Sequence, residues 1–396
     1  MPTFRLKRFT HPQSLQAINP HSLLELLQPH RAFFAGRGLR LPSEDSRPSF
    51  DYAALVKVLA TPDTDTPKDL ADTLYFIHEM STAEGMDALL EHVSLEQLRC
   101  SFLEATPADI AVRVWLYDRQ ILERTHAEMF ASLPRRFDYF QTYIRPVPPF
   151  DAPEAARLRP LEEALNVEFE RKGRGRGTRV FAYPHEHDCV FLVRHGEPYR
   201  REGTMHGSEV SSVLYRPLRF DVVIYDLRTG TLRVHAQTKW VTSLYRGQFG
   251  KHLFGLLDYF PDIGRYSLEP LRSGESACLA CADVSGIKTV ALIEIHLDWG
   301  GVYGEVEVHK ASNVFAAFKK RRAAMPTQPQ IIRATFTLSF KGSNQKRSVT
   351  IQPPNVAHYS RDDDSPRVDA WLSKRGFIKQ TVAECHEEAD ALLAGH

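Results

Sequence analysis

The stretch FDVVIYDLRTGTLRVHAQTKW, residues 220–240, holds three side chains whose types fit phosphate chemistry. A carboxylate at Asp221 would hold Mg²⁺ beside a scissile phosphate. Gln237 would add a neutral oxygen ligand, and Lys239 would orient the attacking water or stabilise charge on the phosphate. A second candidate is VFLVRHGEPYRREG, which sets His195 beside Arg194. A third is metal ligation. PHEHDC offers His185, His187 and Cys189, alternate residues that share a face if they lie on one strand, and Cys278 and Cys281 offer two thiolates.

These groups act only if backbone elements bring them together. From 178 onward TRVFAYP, CVFLVRHG, RFDVVIYD, TLRVHAQTK, KTVALIEIHLDW and GEVEVHKA alternate with period two or run apolar, which predicts strands. DLRTGTL predicts a hairpin turn, so Asp221 and Lys239 lie at converging strand ends. Residues 241–260 predict a helix, as does ASNVFAAFKKRRAAM, which ends in four cations where the helix dipole favours them. IIRATFTLSFKGSNQKRSVTIQPP predicts a hairpin, followed by a short helix in SPRVDAWLSKRGFI. The first 140 residues are helical in pattern. Thr66–Pro67–Asp69 and Thr106–Pro107–Asp109 are helix starts, and Ser81 with Glu84 forms a capping box.

The fold class expected is α+β. A helical domain covers 1–144, a proline-rich linker 145–160, a β-rich α+β domain 161–325, and a basic hairpin-helix module 326–396. No stretch approaches the roughly 18 apolar residues of a membrane span. The start MPTFRLKRFTHPQ has no apolar secretory core, and the cysteine count of five is odd, so a reducing cytoplasm is expected.

The strand-turn-strand with Asp221, Gln237 and Lys239 resembles the core of the PD-(D/E)xK nucleases, in particular the Mrr-type restriction endonucleases, in which Gln replaces Glu. The resemblance covers 220–260. It implies a Mg²⁺-dependent nuclease with those three residues at its centre and a further acid from a preceding helix, Glu162 or Glu163, with Glu209 a poorer choice. No proline precedes Asp221, and several strands separate it from the helical acids. LVRHGE resembles the opening of the histidine phosphatases, which implies His195 as the phosphorylated nucleophile and Arg194 as the phosphate holder. Arg201 stands where that family has Asn, and the only other His-Gly, His206–Gly207, lies too close to be the second histidine. The preferred reading of LVRHGE is therefore a strand and turn. Arg194, Arg200 and Arg201 then add to a positive surface, and His195 is no nucleophile.

The whole chain carries a net charge of +1, but the charge is uneven. Residues 1–150 hold 16 Lys+Arg against 19 Asp+Glu, whereas 319–379 hold 13 Lys+Arg against 4 Asp, with an acidic ECHEEAD after it. The cations fall in three clusters interleaved with aromatic residues. Arg171, Lys172, Arg174 and Arg176 lie in RKGRGRGTR. Lys319, Lys320, Arg321 and Arg322 end a helix. Lys341, Lys346, Arg347, Lys374 and Arg375 lie in the tail. Such clusters neutralise phosphates.

The function expected first is non-enzymatic binding of DNA or RNA, DNA before RNA, with no cofactor. The helical N-terminal domain would hold a protein partner, and no membrane is involved. The setting expected is a bacterial accessory protein that handles foreign DNA, antiviral defence included. The alternatives are the Mg²⁺ nuclease and a protein-interaction scaffold.

Overall fold

The structure is a computed structural model that describes residues 6, 8–43, 48–63, 65–101, 105–132, 134–206, 208–343, 345–360 and 364–379. The chain divides into two compact units, Met1–Leu133 and Pro134–His396. The class is α+β, helical first and sheet-rich afterwards.

The first unit is built from α1 (Pro12–Gln16), α2 (Pro20–Leu27), α3 (Arg31–Gly36), α4 (Tyr52–Leu59), α5 (Lys68–Met80), α6 (Ala83–Leu90), α7 (Pro107–Tyr117) and α8 (Arg119–Ser132). Leu23 and Leu27 of α2, Leu55 of α4, Ile77 of α5 and Val114 of α7 share one buried core. The start of α7 is as expected. Pro107 is its first residue, and Thr106 Oγ1 accepts from Asp109 N at 3.1 Å. Two other starts differ. The Ser81 hydroxyl donates to Ile77 O, and Thr82 caps α6 by accepting from Gly85 N at 2.9 Å. Thr66 bonds to Asp63, so α5 begins at Lys68 without a side-chain cap. At Ser81 a carbonyl acceptor, and at Thr66 the Asp63 amide donor, takes the hydroxyl that the local motif would use.

A buried ion pair fixes α7. Asp109 is 2% exposed and accepts from Asn19 N at 2.8 Å and from Arg113 Nε at 2.7 Å. Arg113 also donates to the carbonyls of Leu98 and Arg99.

The second unit holds β1 (Arg136–Gln141), α9 (Ala155–Arg171), β2 (Arg179–Pro184), β3 (Asp188–Gly196), β4 (Arg200–His206), β5 (Glu209–Tyr215), β6 (Leu218–Asp226), β7 (Thr231–His235), α10 (Lys239–Phe254), α11 (Pro270–Ser273), β8 (Ile287–Gly300), β9 (Glu305–Lys310), α12 (Val314–Lys320), β10 (Gln330–Phe340), β11 (Lys346–Gln352), β12 (Val356–His358) and α13 (Ser365–Lys374). Ten of these strands form one sheet in the order β2-β3-β6-β7-β1-β12-β11-β10-β8-β9, and every pairing is antiparallel. β4 and β5 pair only with each other.

Alternate residues of β3 and β6 face the same way, so Phe191, Val193, Val223 and Tyr225 share a core with Leu161, Leu165 and Phe169 of α9 and Tyr245 and Phe249 of α10. Thr238 caps α10 through Val241 N, and Gly255 ends it with φ +77°. On the other half of the sheet Phe336 of β10 meets Trp371 of α13 with ring centroids 5.2 Å apart.

Three boundaries fall elsewhere than the sequence pattern places them. β1 lies inside the span 1–144, yet it pairs with β7 and β12 in the middle of the large sheet. The proline-rich stretch 145–160 ends inside α9, where Pro160 is an interior helical residue with no amide to donate to the Ala156 carbonyl. β10 and β11 pair with β8 and β12, so 326–379 belong to the same sheet as 161–325. The ECHEEAD stretch lies outside the described residues.

Candidate functional site

The two sequence candidates meet at one place. β3 and β6 pair so that Val193 faces Asp221 and His195 faces Arg219 across the ladder. Residues 195 and 221 are then diagonal neighbours on the helix-covered face. His195 Nε2 lies 2.9 Å from Asp221 Oδ2, and both side chains are almost wholly buried. The Tyr245 hydroxyl, from α10, donates to the same oxygen at 2.9 Å. Burial raises the Tyr245 phenol well above its ordinary value, and the Asp221 charge adds to this. Phe169 of α9 stacks on the imidazole, with centroids 4.5 Å apart and planes 21° apart.

The hydrogen-bond geometry dictates where protons sit. His195 Nδ1 lies 2.9 Å from the carbonyl of Gly196, which can only accept, so Nδ1 carries a hydrogen. A second hydrogen must lie between Nε2 and Asp221, because two lone pairs would otherwise face each other. The pair therefore holds one shared proton and is neutral as a unit. Asp221 Oδ1 is buried without a hydrogen bond among the described residues, and Arg219 Nε stands 3.6 Å away in ion-pair range.

Around this core lies a ring of arginines and aromatic side chains. Arg174 stands over Phe169 and over Trp240, at 5.6 and 5.8 Å, and Lys172 stands over Trp240 at 5.6 Å. Arg216 lies over Tyr199 at 4.3 Å and donates to the carbonyls of Gly173 and Glu197. It passes so close to Gly196 that a Cβ there would sit 2.5 Å from its Cδ and 2.6 Å from Arg174 O, so only glycine fits. Glu197 is buried and pairs with Arg200 and Arg219.

None of the other expected nuclease residues is among the hydrogen-bond or ion-pair partners of Asp221 in the described residues, which are His195, Tyr245 and Arg219. Gln237 and Lys239 are exposed. Burial raises the Asp138 carboxyl of β1, and Lys239 is one of the cations that pull it back. Glu162 accepts from Val180 N and pairs with Arg179, Glu163 pairs with Arg176, and Glu209 lies in the β4–β5 hairpin.

The basic clusters are sorted by their partners. Arg171 and Arg176 are paired with Glu168, Glu163 and Glu170 around α9. Lys374 and Arg375 are tied to Asp283, and Arg375 also donates to the Ala280 carbonyl. Arg347 pairs with Asp364 at 3.9 Å. Lys172, Arg174, Arg194, Arg201 and Arg216 form no ion pair with a described carboxylate, nor do Lys319, Lys320, Arg321, Arg322, Lys341 and Lys346. α12, which carries the Lys319–Arg322 run, packs on β8 near one edge of the sheet, while α9 packs on β2 at the other. At about 4.8 Å per strand the two clusters are some 40 Å apart.

The metal expectation on His185, His187 and Cys189 does not hold as drawn. His185 and His187 are exposed in the turn between β2 and β3, whereas Cys189 is buried in the core, its thiol pushed up to about 12 by burial. Burial likewise pushes the Cys278 thiol up to about 12. No group of three or more His, Cys, Asp or Glu side chains among the described residues is placed to hold a metal ion. No helix among them is long and apolar enough to cross a membrane.

Sequence reasoning found His195 and Asp221 separately but assigned them to rival chemistries. It missed Tyr245, Phe169 and Trp240, whose only signal was their place on the apolar stripes of two helices. No protein-family model matches the chain, and no curated protein matches it.

Proposed function

We propose that this chain binds nucleic acid, DNA in the first place, through phosphate contacts at the end of the β3–β6 pair. One observation carries the reading. Lys172, Arg174 and Arg216 stand over Trp240, Phe169 and Tyr199 beside the ends of these two strands, Arg194 lies on the other face of β3 over Phe181, and Arg201 lies on β4, none with an ion pair to a described carboxylate. The acids nearest them, Glu197, Glu162, Glu163 and Glu170, are already neutralised by other arginines. Cations left over after the local acids are matched give a positive surface of the kind that releases counterions from DNA. Trp240 and Tyr199 beside them offer stacking faces for bases or for the guanidinium planes.

Binding fits the site better than cleavage does. Asp221 is 1% exposed and is engaged by His195 and Tyr245, so it presents no open face to a metal-bound phosphate. The His195–Asp221–Tyr245 group instead fixes the ends of β3 and β6 on which the cations stand.

The test is equilibrium binding of a labelled duplex and a labelled single strand over a salt series without divalent metal. The expected result is an affinity that falls with salt at a slope of about −0.9 per phosphate neutralised on the duplex, over several phosphates. Changing Lys172, Arg174 and Arg194 together to Gln lowers that slope. No binding at low salt overturns the reading. Cleavage on adding Mg²⁺, lost in Asp221→Asn, would replace it with the nuclease.

A further inference from the structure

The β4–β5 hairpin is an extension of the β3–β6 pair. Gly196 faces Leu218 at the end of the sheet, and Arg200 faces Tyr215 at the start of the hairpin. Three residues on one strand oppose two on the other in between, a one-residue offset bridged by Glu197 N donating to Pro217 O at 2.8 Å. The hairpin then runs for seven residues on each strand, paired with no other strand. A lone hairpin is marginal in water, so this one is built to be covered.

Residues that face each other across an antiparallel ladder share a side. One side of the hairpin therefore carries Arg201 with Leu214, Gly203 with Ser212, and Met205 with Val210. Both acids, Glu202 and Glu209, fall on the other side. The acid-free side is the apolar one, and it is open: Met205 is 74%, Val210 80% and Leu214 67% exposed. Arg201 stands on that side at its base, next to the unmatched cations already described.

We propose that this hairpin is an arm that enters the major groove of duplex DNA, its acid-free side against the base edges. This rests on the nucleic-acid reading and names the element that meets the bases. Charge selects the occupant, since an apolar strip with an arginine at its root and no carboxylate suits a polyanion whose groove floor carries methyl groups among its polar edges. Dimensions agree. Two strands lie about 4.8 Å apart and seven residues extend about 24 Å, a ribbon that fits a groove about 12 Å wide. Met205, Val210 and Leu214 then lie against thymine methyl groups, the apolar feature of that groove. A-form RNA has a major groove too deep and narrow to admit it. A second copy of the chain is a poorer occupant. The arm face covers on the order of 250 Å² per partner, far below the roughly 800 Å² per partner of a stable interface.

The test compares the full-length protein with Met205→Ser/Val210→Ser/Leu214→Ser on a thymine-containing duplex and on the same duplex with uracil in place of thymine. Uracil keeps every hydrogen-bonding edge and removes only the methyl. The expected result is that the intact protein loses roughly fourfold in affinity for each covered methyl removed. The triple variant binds both duplexes alike and more weakly, with the salt slope unchanged because the cations remain. An unchanged thermal melt shows that the variant is folded. Equal binding by intact protein and variant, with no difference between thymine and uracil, overturns the arm and leaves the cation surface standing. Absence of DNA binding by the intact protein overturns both. A dimer that the variant breaks while DNA affinity is kept assigns the arm to a second copy and overturns the proposal.

Discussion

Asp109 in the first unit and Asp221 in the second are both buried aspartates, 2% and 1% exposed, and each is paired with a base. Their surroundings differ. Asp109 uses Oδ1 on Asn19 N and Oδ2 on Arg113, whose remaining donors reach the Leu98 and Arg99 carbonyls. Each of its oxygens is matched. Asp221 puts two donors on Oδ2 and leaves Oδ1 with only Arg219 at 3.6 Å. Its base is also of another kind. Arg113 cannot lose its charge, whereas an imidazole can exist neutral. The first pair is a fixed joint between segments. The second is a neutral, proton-sharing unit beneath a positive surface, with an acceptor to spare.

The sharpest way to break this comparison is to remove each acid in turn. Asp109→Ala strands a buried guanidinium and is expected to cost about 3–5 kcal/mol in denaturant unfolding of the first unit. Asp221→Ala is expected to cost less, about 2–3 kcal/mol, because His195 can give up the shared proton rather than stay charged and unpaired. Equal losses from the two variants would remove the distinction. Tyr245→Phe deletes one donor to a charged acceptor and keeps the ring, for an expected loss of about 1.5–3 kcal/mol by the same measurement.

The smallest effect is a pH dependence in the first unit. Burial holds the His126 imidazole below its ordinary value, against a smaller opposing pull from Glu79. As pH falls through the ordinary histidine range, the unfolded chain takes up a proton that the folded chain refuses. Stability is therefore lost on acidification below about pH 6.5 and restored above it. Chemical denaturation at several pH values is expected to show that slope in the native protein and a shallower one in His126→Gln.

The sequence patterns show some of this well. The apolar runs around Phe191 and Val223 form the paired strands they predict, buried on both faces, and Thr106 caps α7 as its TP start implies. Local signals fail where a distant partner decides. RFDYFQ has no strong period, and it is β1 because β7 and β12 flank it. Ser81 has a capping motif, but the Ile77 carbonyl takes its hydroxyl. His195 and Asp221 lie 26 residues apart with a hairpin between them, so their contact depends on the β3–β6 register and not on spacing. Arg176 and Arg375 have the composition of a DNA contact, and only the fold shows that each already has an acid. The asymmetric hairpin faces were not legible, since EVSSVLY does not alternate, and which face stays bare depends on the rest of the chain.

The place of β1 in the sheet sets an order of events for synthesis. β1 joins the two halves of the sheet, but its partner β12 is Val356–His358, more than 200 residues later in the chain. Until the ribosome has delivered that short strand, one edge of β1 has no neighbour and the loop to be closed is very long. The growing chain must carry an open edge while more than 200 residues are added, and unpaired edges invite pairing with other chains. Three residues near the end of the sequence complete the ladder for both halves, so damage to that strand is felt as aggregation during synthesis before it is felt as lost stability of the finished molecule.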